Sequence, residues 1–139
     1  MSFRNFPARR GPRVQGYKRT ELDGYSFQSK LEAALYQHLK ILQKAGEVEI
    51  QQTQDHVHLS DARIVYIADF RVLEKNTGEQ VWYEAKGFEN ERWPIIKKLW
   101  KVYGPGKLRI FKGTYTKLKE AEVIIPEWGN KWRAKNVKE

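Results

Sequence analysis

Two acidic residues and a lysine near the middle of the chain are of the types that support metal-assisted hydrolysis. Asp69 lies within one apolar run, and Glu84 and Lys86 stand two residues apart at the end of the next. Residues i and i+2 of a β-strand point to the same face, so Glu84 and Lys86 are expected to project together. A hairpin across residues 67–87 would bring Asp69 beside them. Their apolar surroundings favour a working site over a solvated surface.

The chemistry that this group favours is hydrolysis of a phosphodiester with the help of a hard metal ion. Carboxylate oxygens suit Mg²⁺ or Mn²⁺ better than zinc. Such an ion can contact a phosphate oxygen, generate hydroxide from water and screen the leaving oxyanion. A neighbouring lysine can orient the attacking water or stabilise the transition state. An aspartate followed by Glu-x-Lys is a weak pattern alone, because an exposed cross-strand ion pair would give the same spacing.

A third acid, Glu32, belongs to the first predicted helix, residues 26–45. Ser29 and Glu32 have the spacing of a capping box, in which Glu32 would bond the backbone N–H of Ser29. From spacing alone, capping and chemistry remain alternative roles for Glu32. Gly46 ends the helix, and four leucines at spacings of four and three form its apolar stripe: Leu31, Leu35, Leu39 and Leu42.

The remaining elements follow from apolar periodicity and turn residues. In chain order they are an edge strand at 47–53, a loop at 55–62, strands at 64–73 and 80–86 around a turn at 74–79, a helix at 89–103, a strand at 107–112, a turn or short helix at 113–120 and a strand at 122–125. The loop carries His56 and His58, a spacing more typical of a polar loop than of a metal site when no third ligand is near.

The second predicted helix has an aromatic stripe and a basic outer face. The stripe favours core packing over a platform for stacking bases, and it consists of Trp93, Ile96, Trp100 and Tyr103. Pro94 is tolerated there because it falls in the first turn.

Composition limits the class of protein. A chain of 139 residues fits one domain with a real core, and the absence of cysteine excludes disulfides and thiolate metal sites. No apolar run is long enough to span a membrane, and the start of the chain lacks the apolar run of a secretory signal. The net charge of +9 favours a polyanionic partner.

The basic charge is concentrated at the two ends. The sequence predicts a flexible basic arm at residues 1–24, a folded domain at 25–126 that holds the acidic residues and Lys86, and a basic tail at 127–139. The ends are either arms that neutralise phosphates or disordered solubilising segments, and composition leaves both open.

The order of these motifs resembles the PD-(D/E)XK nuclease superfamily. A helix with Glu32, a strand with Asp69, a strand ending in Glu84-Ala85-Lys86 and a basic helix follow one another. The strings F-Q-S-K-L-E-A, Y-I-A-D-F and Y-E-A-K-G-F are similar to those of small phage-encoded nucleases of this superfamily. The order is also similar to that of archaeal-type Holliday junction resolvases. The resemblance covers roughly residues 25–112.

The resemblance implies an α/β fold of the restriction-endonuclease type, a mixed central β-sheet flanked by helices. It implies that Glu32, Asp69 and Glu84 hold Mg²⁺ or Mn²⁺, together with the backbone carbonyl of Ala85, and that Lys86 is the catalytic lysine. One departure is Ala68, which stands where the motif of the superfamily has a proline, although many members lack that proline.

The function implied is a metal-dependent endonuclease selective for branched DNA, most simply a four-way (Holliday) junction resolvase. Cutting two opposed strands requires a two-fold homodimer, which would act in the cytoplasm of a bacterium or phage-infected cell, without a membrane. Phosphate contacts are expected from the basic residues Arg9, Arg10, Arg13, Lys18, Arg19, Lys30, Lys97, Lys98 and Lys101. The alternatives are a sequence-specific or mismatch-nicking endonuclease and a non-catalytic DNA-binding protein.

Overall fold

The computed structural model describes residues 20–60 and 62–127. Within these ranges seven β-strands and two α-helices follow one another. They are β1 (Thr20–Leu22), β2 (Tyr25–Phe27), α1 (Lys30–Lys44), β3 (Val48–His58), β4 (Val65–Glu74), β5 (Glu79–Ala85), α2 (Trp93–Tyr103), β6 (Leu108–Thr114) and β7 (Lys117–Ile124).

Five of the strands form one mixed sheet in the order β3-β4-β5-β6-β7. Strands β3, β4 and β5 are antiparallel neighbours, β5 and β6 are parallel, and β6 and β7 are antiparallel. Helix α2 makes the crossover that a parallel pair requires. The protein is therefore α/β, with the restriction-endonuclease-like mixed sheet flanked by helices that the sequence predicts.

The two helices cover separate cores. Helix α1 buries its apolar stripe in a cluster with Phe70 and Val72 of β4, whereas α2 buries Trp93 and Trp100 in a second cluster with Leu108 of β6. Both tryptophans are almost fully buried, which confirms the aromatic stripe as core. Burial of each large apolar side chain stabilises the fold by about 1.5–3 kcal/mol.

The alternation of side chains between the two faces of β4 is interrupted at Asp69. Ala68 packs in the cluster that contains Trp93 and Trp100, while Phe70 packs in the cluster that contains α1. Residues two apart in a regular strand share a face, so the alternation is interrupted between these two. Asp69 therefore lies at the boundary between the two cores.

The predicted loop at 55–62 is wrong over its first half, because β3 continues through His58. His56 and His58 are exposed strand residues that pair with Ile67 and Val65 of β4. Only Val57 is buried in this part of β3, so the sequence carries little of the apolar alternation that indicates a strand. Pairing with β4 fixes the conformation instead.

The turn or short helix predicted at 113–120 is also wrong. Strand β6 extends to Thr114 and β7 begins at Lys117, so these residues form an antiparallel hairpin. Gly113 has φ of 121°, a conformation that side-chain-bearing residues rarely adopt, and it pairs with Leu118. The last strand is consequently longer than the predicted 122–125.

The start of the predicted domain and the start of its second helix need adjustment. The arm predicted at 1–24 is too long, because Thr20–Leu22 and Tyr25–Phe27 pair as an antiparallel hairpin and Phe27 is buried against α1. Residues 1–19 and 128–139, which hold the rest of the arm and nearly all of the tail, lie outside the described residues. Helix α2 begins at Trp93 rather than at residue 89.

Candidate active site

The carboxylates of Asp69 and Glu84 lie where strands β4 and β5 separate. The last paired residues on this side are Phe70 and Tyr83. Beyond them, the backbone N–H of Asp69 donates to Glu84 Oε2 at 2.9 Å, and the N–H of Ala85 donates to Asp69 Oδ2 at 2.8 Å. The two carboxylates thus replace the bonds of the strand ladder. Each keeps a second oxygen outside these two bonds.

Both carboxyl groups are almost buried, with 9% and 6% of Asp69 and Glu84 exposed. Burial, followed by the charges of Glu84 and Glu32, raises the pKa of Asp69 well above its usual value. Burial raises the pKa of Glu84 to about 7, and the hydrogen bond from Asp69 and the charge of Lys86 only partly oppose it. A buried group of acids whose charges repel one another is stabilised by a bound cation.

Glu32 lies in the first turn of α1, where its backbone and its side chain bond to different partners. Its N–H donates to Ser29 Oγ at 3.1 Å, so Ser29 caps the helix as the spacing predicts. The predicted bond from the Glu32 side chain to the Ser29 N–H is replaced by other partners. Its carboxylate accepts instead from the Gln28 N–H at 3.2 Å and from Gln54 Nε2 at 2.6 Å. The charge of Glu32 raises the pKa values of the other two acids, so all three belong to one site.

Lys86 brings a positive charge to the same place. Its backbone N–H donates to the carbonyl of Phe111 at 2.8 Å, which continues the pairing of β5 with β6. Its Nζ lies 4.2 Å from the centre of the Trp93 ring, within the range of a cation–π contact. The charge of Lys86 lowers the pKa values of Asp69 and Glu84. The four predicted side chains therefore converge.

Two further residues of the site were missed by the sequence prediction. The hydroxyl of Tyr66 is buried without a hydrogen bond of standard geometry among the described residues, yet it lies close enough to Glu84 for each to shift the pKa of the other. Gln54, on β3, holds Glu32. Tyr66 carries no signal beyond its place three residues before Asp69, and Gln54 lies in a polar stretch with no motif.

The acidic side chains of the site are of the type that binds a hard cation, but they are not arranged as a set of metal ligands. Across residues 20–60 and 62–127, no three His, Cys, Asp or Glu side chains already form a metal-ligand set. Asp69, Glu84 and Glu32 each direct at least one oxygen toward an N–H donor. Three carboxylates offer oxygens suited to Mg²⁺ or Mn²⁺, and the second oxygens of Asp69 and Glu84 are the ones to supply them.

The basic residues predicted to contact DNA fall into two groups. Among those that the structure describes, Lys30, Lys98 and Lys101 are exposed, while Lys97 forms an ion pair with Glu122 at 3.2 Å. The others lie outside the described residues, namely Arg9, Arg10, Arg13, Lys18 and Arg19. In the described part of the chain, no helix is long and apolar enough to cross a membrane.

Fold and site together define a mixed α/β protein with a buried acidic centre where two strands separate. The chain belongs to the family described as "Protein of unknown function (DUF1064)", which matches residues 15–124. That range contains both helices and all four predicted site residues. Neither the curated proteins nor the solved structures contain a match to this chain.

Proposed function

We propose that this protein is a metal-dependent endonuclease that hydrolyses phosphodiester bonds in branched DNA, with a four-way junction as its preferred substrate. The observation that carries the proposal is the pair of reciprocal bonds by which Asp69 and Glu84 cap each other's strands. These bonds fix two buried carboxylates side by side, with Glu32 and Lys86 close enough to alter their pKa values. The similarity to the PD-(D/E)XK nucleases rests on the same residues.

Asp69 and Glu84 would hold Mg²⁺ or Mn²⁺ together with the carbonyl of Ala85, with Glu32 completing the acidic set. The ion would supply Lewis acidity toward a phosphate oxygen and a lowered pKa for bound water. Lys86 contributes a fixed ammonium that stabilises the negative charge growing on the phosphate. Its place over Trp93 limits the positions of that ammonium. Because the carboxylates are buried, bulk water competes little with them for the ion.

The proposed DNA contacts are electrostatic. Exposed Lys30 stands at the start of α1, two residues before Glu32, and Lys98 and Lys101 line the outer side of α2. Contacts to phosphate position a duplex without reading its sequence, which suits a substrate recognised by shape. Paired cuts on opposed strands would need two copies related by a two-fold axis. The proposed location is the cytoplasm of a bacterial or phage-infected cell.

The test is cleavage of a synthetic four-way junction by the full chain, with Mg²⁺ and with EDTA. We expect paired, symmetric nicks with Mg²⁺ only, weaker cleavage of a linear duplex of the same sequence, and no cleavage by Asp69→Asn or Glu84→Gln. Binding of the junction should persist in both variants. The matched control is Glu49→Gln, which changes an exposed glutamate of β3 and should leave the rate unchanged.

The alternatives give different results in the same assay. Equal cleavage of the linear duplex, or cuts restricted to one sequence, would indicate a sequence-specific or nicking enzyme. Tight binding with no cleavage in Mg²⁺ or Mn²⁺ would indicate a non-catalytic DNA-binding protein. Full activity of Asp69→Asn would reject the site.

A further inference from the structure

Gln54 has a backbone conformation that is unusual for its residue type. Its φ is +51°, in the left-handed region, although it lies inside strand β3. A side chain with a Cβ makes this conformation unfavourable, because the Cβ crowds the neighbouring carbonyl oxygen. Strain of this kind is concentrated at functional sites, where the surrounding structure holds it in place.

The strained residue lies opposite the candidate site. The pairs Thr53 with Phe70 and Asp55 with Ala68 flank it, so Gln54 faces Asp69 across the two strands. Asp69 is also the point at which β4 changes the face that it lines. The left-handed residue of β3 and the change of face in β4 therefore occur at the same level of the sheet.

The side chain of Gln54 makes one specific contact. Its amide nitrogen donates to Glu32 Oε1 at 2.6 Å, while Glu32 Oε2 accepts from the N–H of Gln28. The two bonds are made to the two different oxygens of Glu32 and together fix the orientation of its carboxylate. Glu32 is only 5% exposed, so water offers little competition for the bond. Gln54 itself is exposed, and burial does not explain its conformation.

We propose that Gln54 is a positioning residue, whose left-handed backbone aims its amide at Glu32 and thereby sets that carboxylate for metal binding. This inference rests on the proposed metal centre. The amide donates one hydrogen bond to a carboxylate that would be a ligand, which is the role of the outer partners that orient metal ligands in general. The conformation is retained because a regular strand at Gln54 would turn the side chain to another direction.

Two substitutions separate this role from a role in stability. Gln54→Gly and Gln54→Ala both remove the amide, but only glycine adopts the left-handed conformation without strain. The dissociation constant for Mn²⁺, measured by titration calorimetry on the full chain, should rise about tenfold or more in both variants. The melting temperature should be higher for the glycine variant than for the alanine variant, by about 4 °C.

The matched control uses Arg63, which is exposed and has φ of +59° in the connection between β3 and β4. Arg63→Gly and Arg63→Ala should differ in melting temperature in the same sense, with the Mn²⁺ dissociation constant unchanged in both. If Mn²⁺ affinity follows melting temperature across all four variants, or if the Gln54 variants bind as tightly as the parent chain, Gln54 has no positioning role.

A double-mutant cycle tests whether Gln54 acts through Glu32. In a Glu32→Gln background, Gln54→Gly should weaken Mn²⁺ binding no further, because the carboxylate that it positions is gone. Independent, additive losses would overturn the proposal. A parent chain that binds no Mn²⁺ at all would overturn the metal centre as well, whereas retained binding in Gln54→Gly would overturn only the role of Gln54.

Discussion

The carboxylate of Glu84 accepts the backbone N–H of Asp69 at 2.9 Å, across the point where strands β4 and β5 separate. In turn, the carboxylate of Asp69 accepts the backbone N–H of Ala85. Side chains thus complete the hydrogen bonding of two strands whose backbones no longer pair. Buried N–H groups need such partners, so the acids stabilise the separation of the strands even as their charges repel each other. The same geometry serves the fold and places two acidic groups side by side.

The metal-free protein should lose stability as pH rises. Glu84 has a pKa of about 7 in the folded chain against 4.5 as the ordinary value, so the folded state binds more protons between these pH values. Stability therefore falls from about pH 4.5 to pH 7, by at most about 1.4 kcal/mol per pH unit for one group. Urea unfolding in EDTA at pH 5, 6, 7 and 8 measures this, and Glu84→Gln should flatten the dependence. A parent chain whose stability is flat over this range would contradict the burial of the charge.

Lys86→Ala should remove most of the cleavage activity while leaving the protein folded. The ammonium lies beside the acids and lowers the pKa values of Asp69 and Glu84. Loss of one preorganised charge at a reacting phosphate reduces the rate by at least about 100-fold. Single-turnover cleavage of a four-way junction measures the effect, and the control is Lys44→Ala, in the last turn of α1. A rate within a few-fold of the parent chain would exclude Lys86 from the chemistry.

Tyr66→Phe removes one oxygen at the centre of the site. The buried hydroxyl makes no standard hydrogen bond within the described residues, so stability should change by less than about 1 kcal/mol. The hydroxyl opposes the effect of burial on the pKa of Glu84, so its loss should raise that pKa. The pH at which Mn²⁺ binding reaches half its maximum should then move upward. Unchanged pH dependence would mean that Tyr66 serves only in packing against Trp93 and Trp100.

Glu74→Gln should destabilise the fold without a direct effect on chemistry. Glu74 lies at the far end of β4 from the site, where both of its oxygens accept from Arg109 at 2.9–3.0 Å and Tyr83 donates at 2.7 Å. Burial raises the pKa of Glu74, but the bonds from Arg109 and Tyr83 outweigh it and lower the pKa. The carboxylate therefore stabilises the fold at neutral pH, and that stability is lost as pH falls through the lowered pKa.

The expected loss for Glu74→Gln at pH 7 is about 2–3 kcal/mol by urea unfolding, and it should shrink in acid. The control is Glu79→Gln, which removes a half-exposed ion pair with Lys107 and should change stability by about 0–1 kcal/mol. Equal effects of the two substitutions would contradict the structural role of Glu74. Cleavage per folded molecule should be unchanged in both.

Deleting residues 2–14 should weaken DNA binding but not cleavage of bound DNA. The deletion leaves all of residues 15–124, which the family covers, and removes Arg4, Arg9, Arg10 and Arg13. If these arginines neutralise phosphates, the slope of log K against log salt should fall by about 0.9 per lost contact on duplex DNA. Binding measured at several salt concentrations tests this. An unchanged affinity and slope would show that the arm does not contact DNA.

The sequence alone determined the features that depend on local pattern. The leucine stripe of α1, the Gly46 stop, the aromatic face of α2 and the strands that carry Asp69 and Glu84 all appear in periodicity and turn residues, which report one element at a time. The i, i+2 spacing was sufficient to place Glu84 and Lys86 together. The order of the elements then gave the mixed α/β class.

Only the tertiary structure decided the features that depend on distant partners. The second half of β3 and the hairpin of residues 113–120 are strands because neighbouring strands pair with them, and their own sequences lack the alternation that would indicate this. Spacing left Glu32 between a cap and a catalytic role, and only the fold showed that its carboxylate accepts from Gln54 of β3 and from the N–H of Gln28. Contacts between residues remote in sequence carry no local signal, so they had to be observed in the fold.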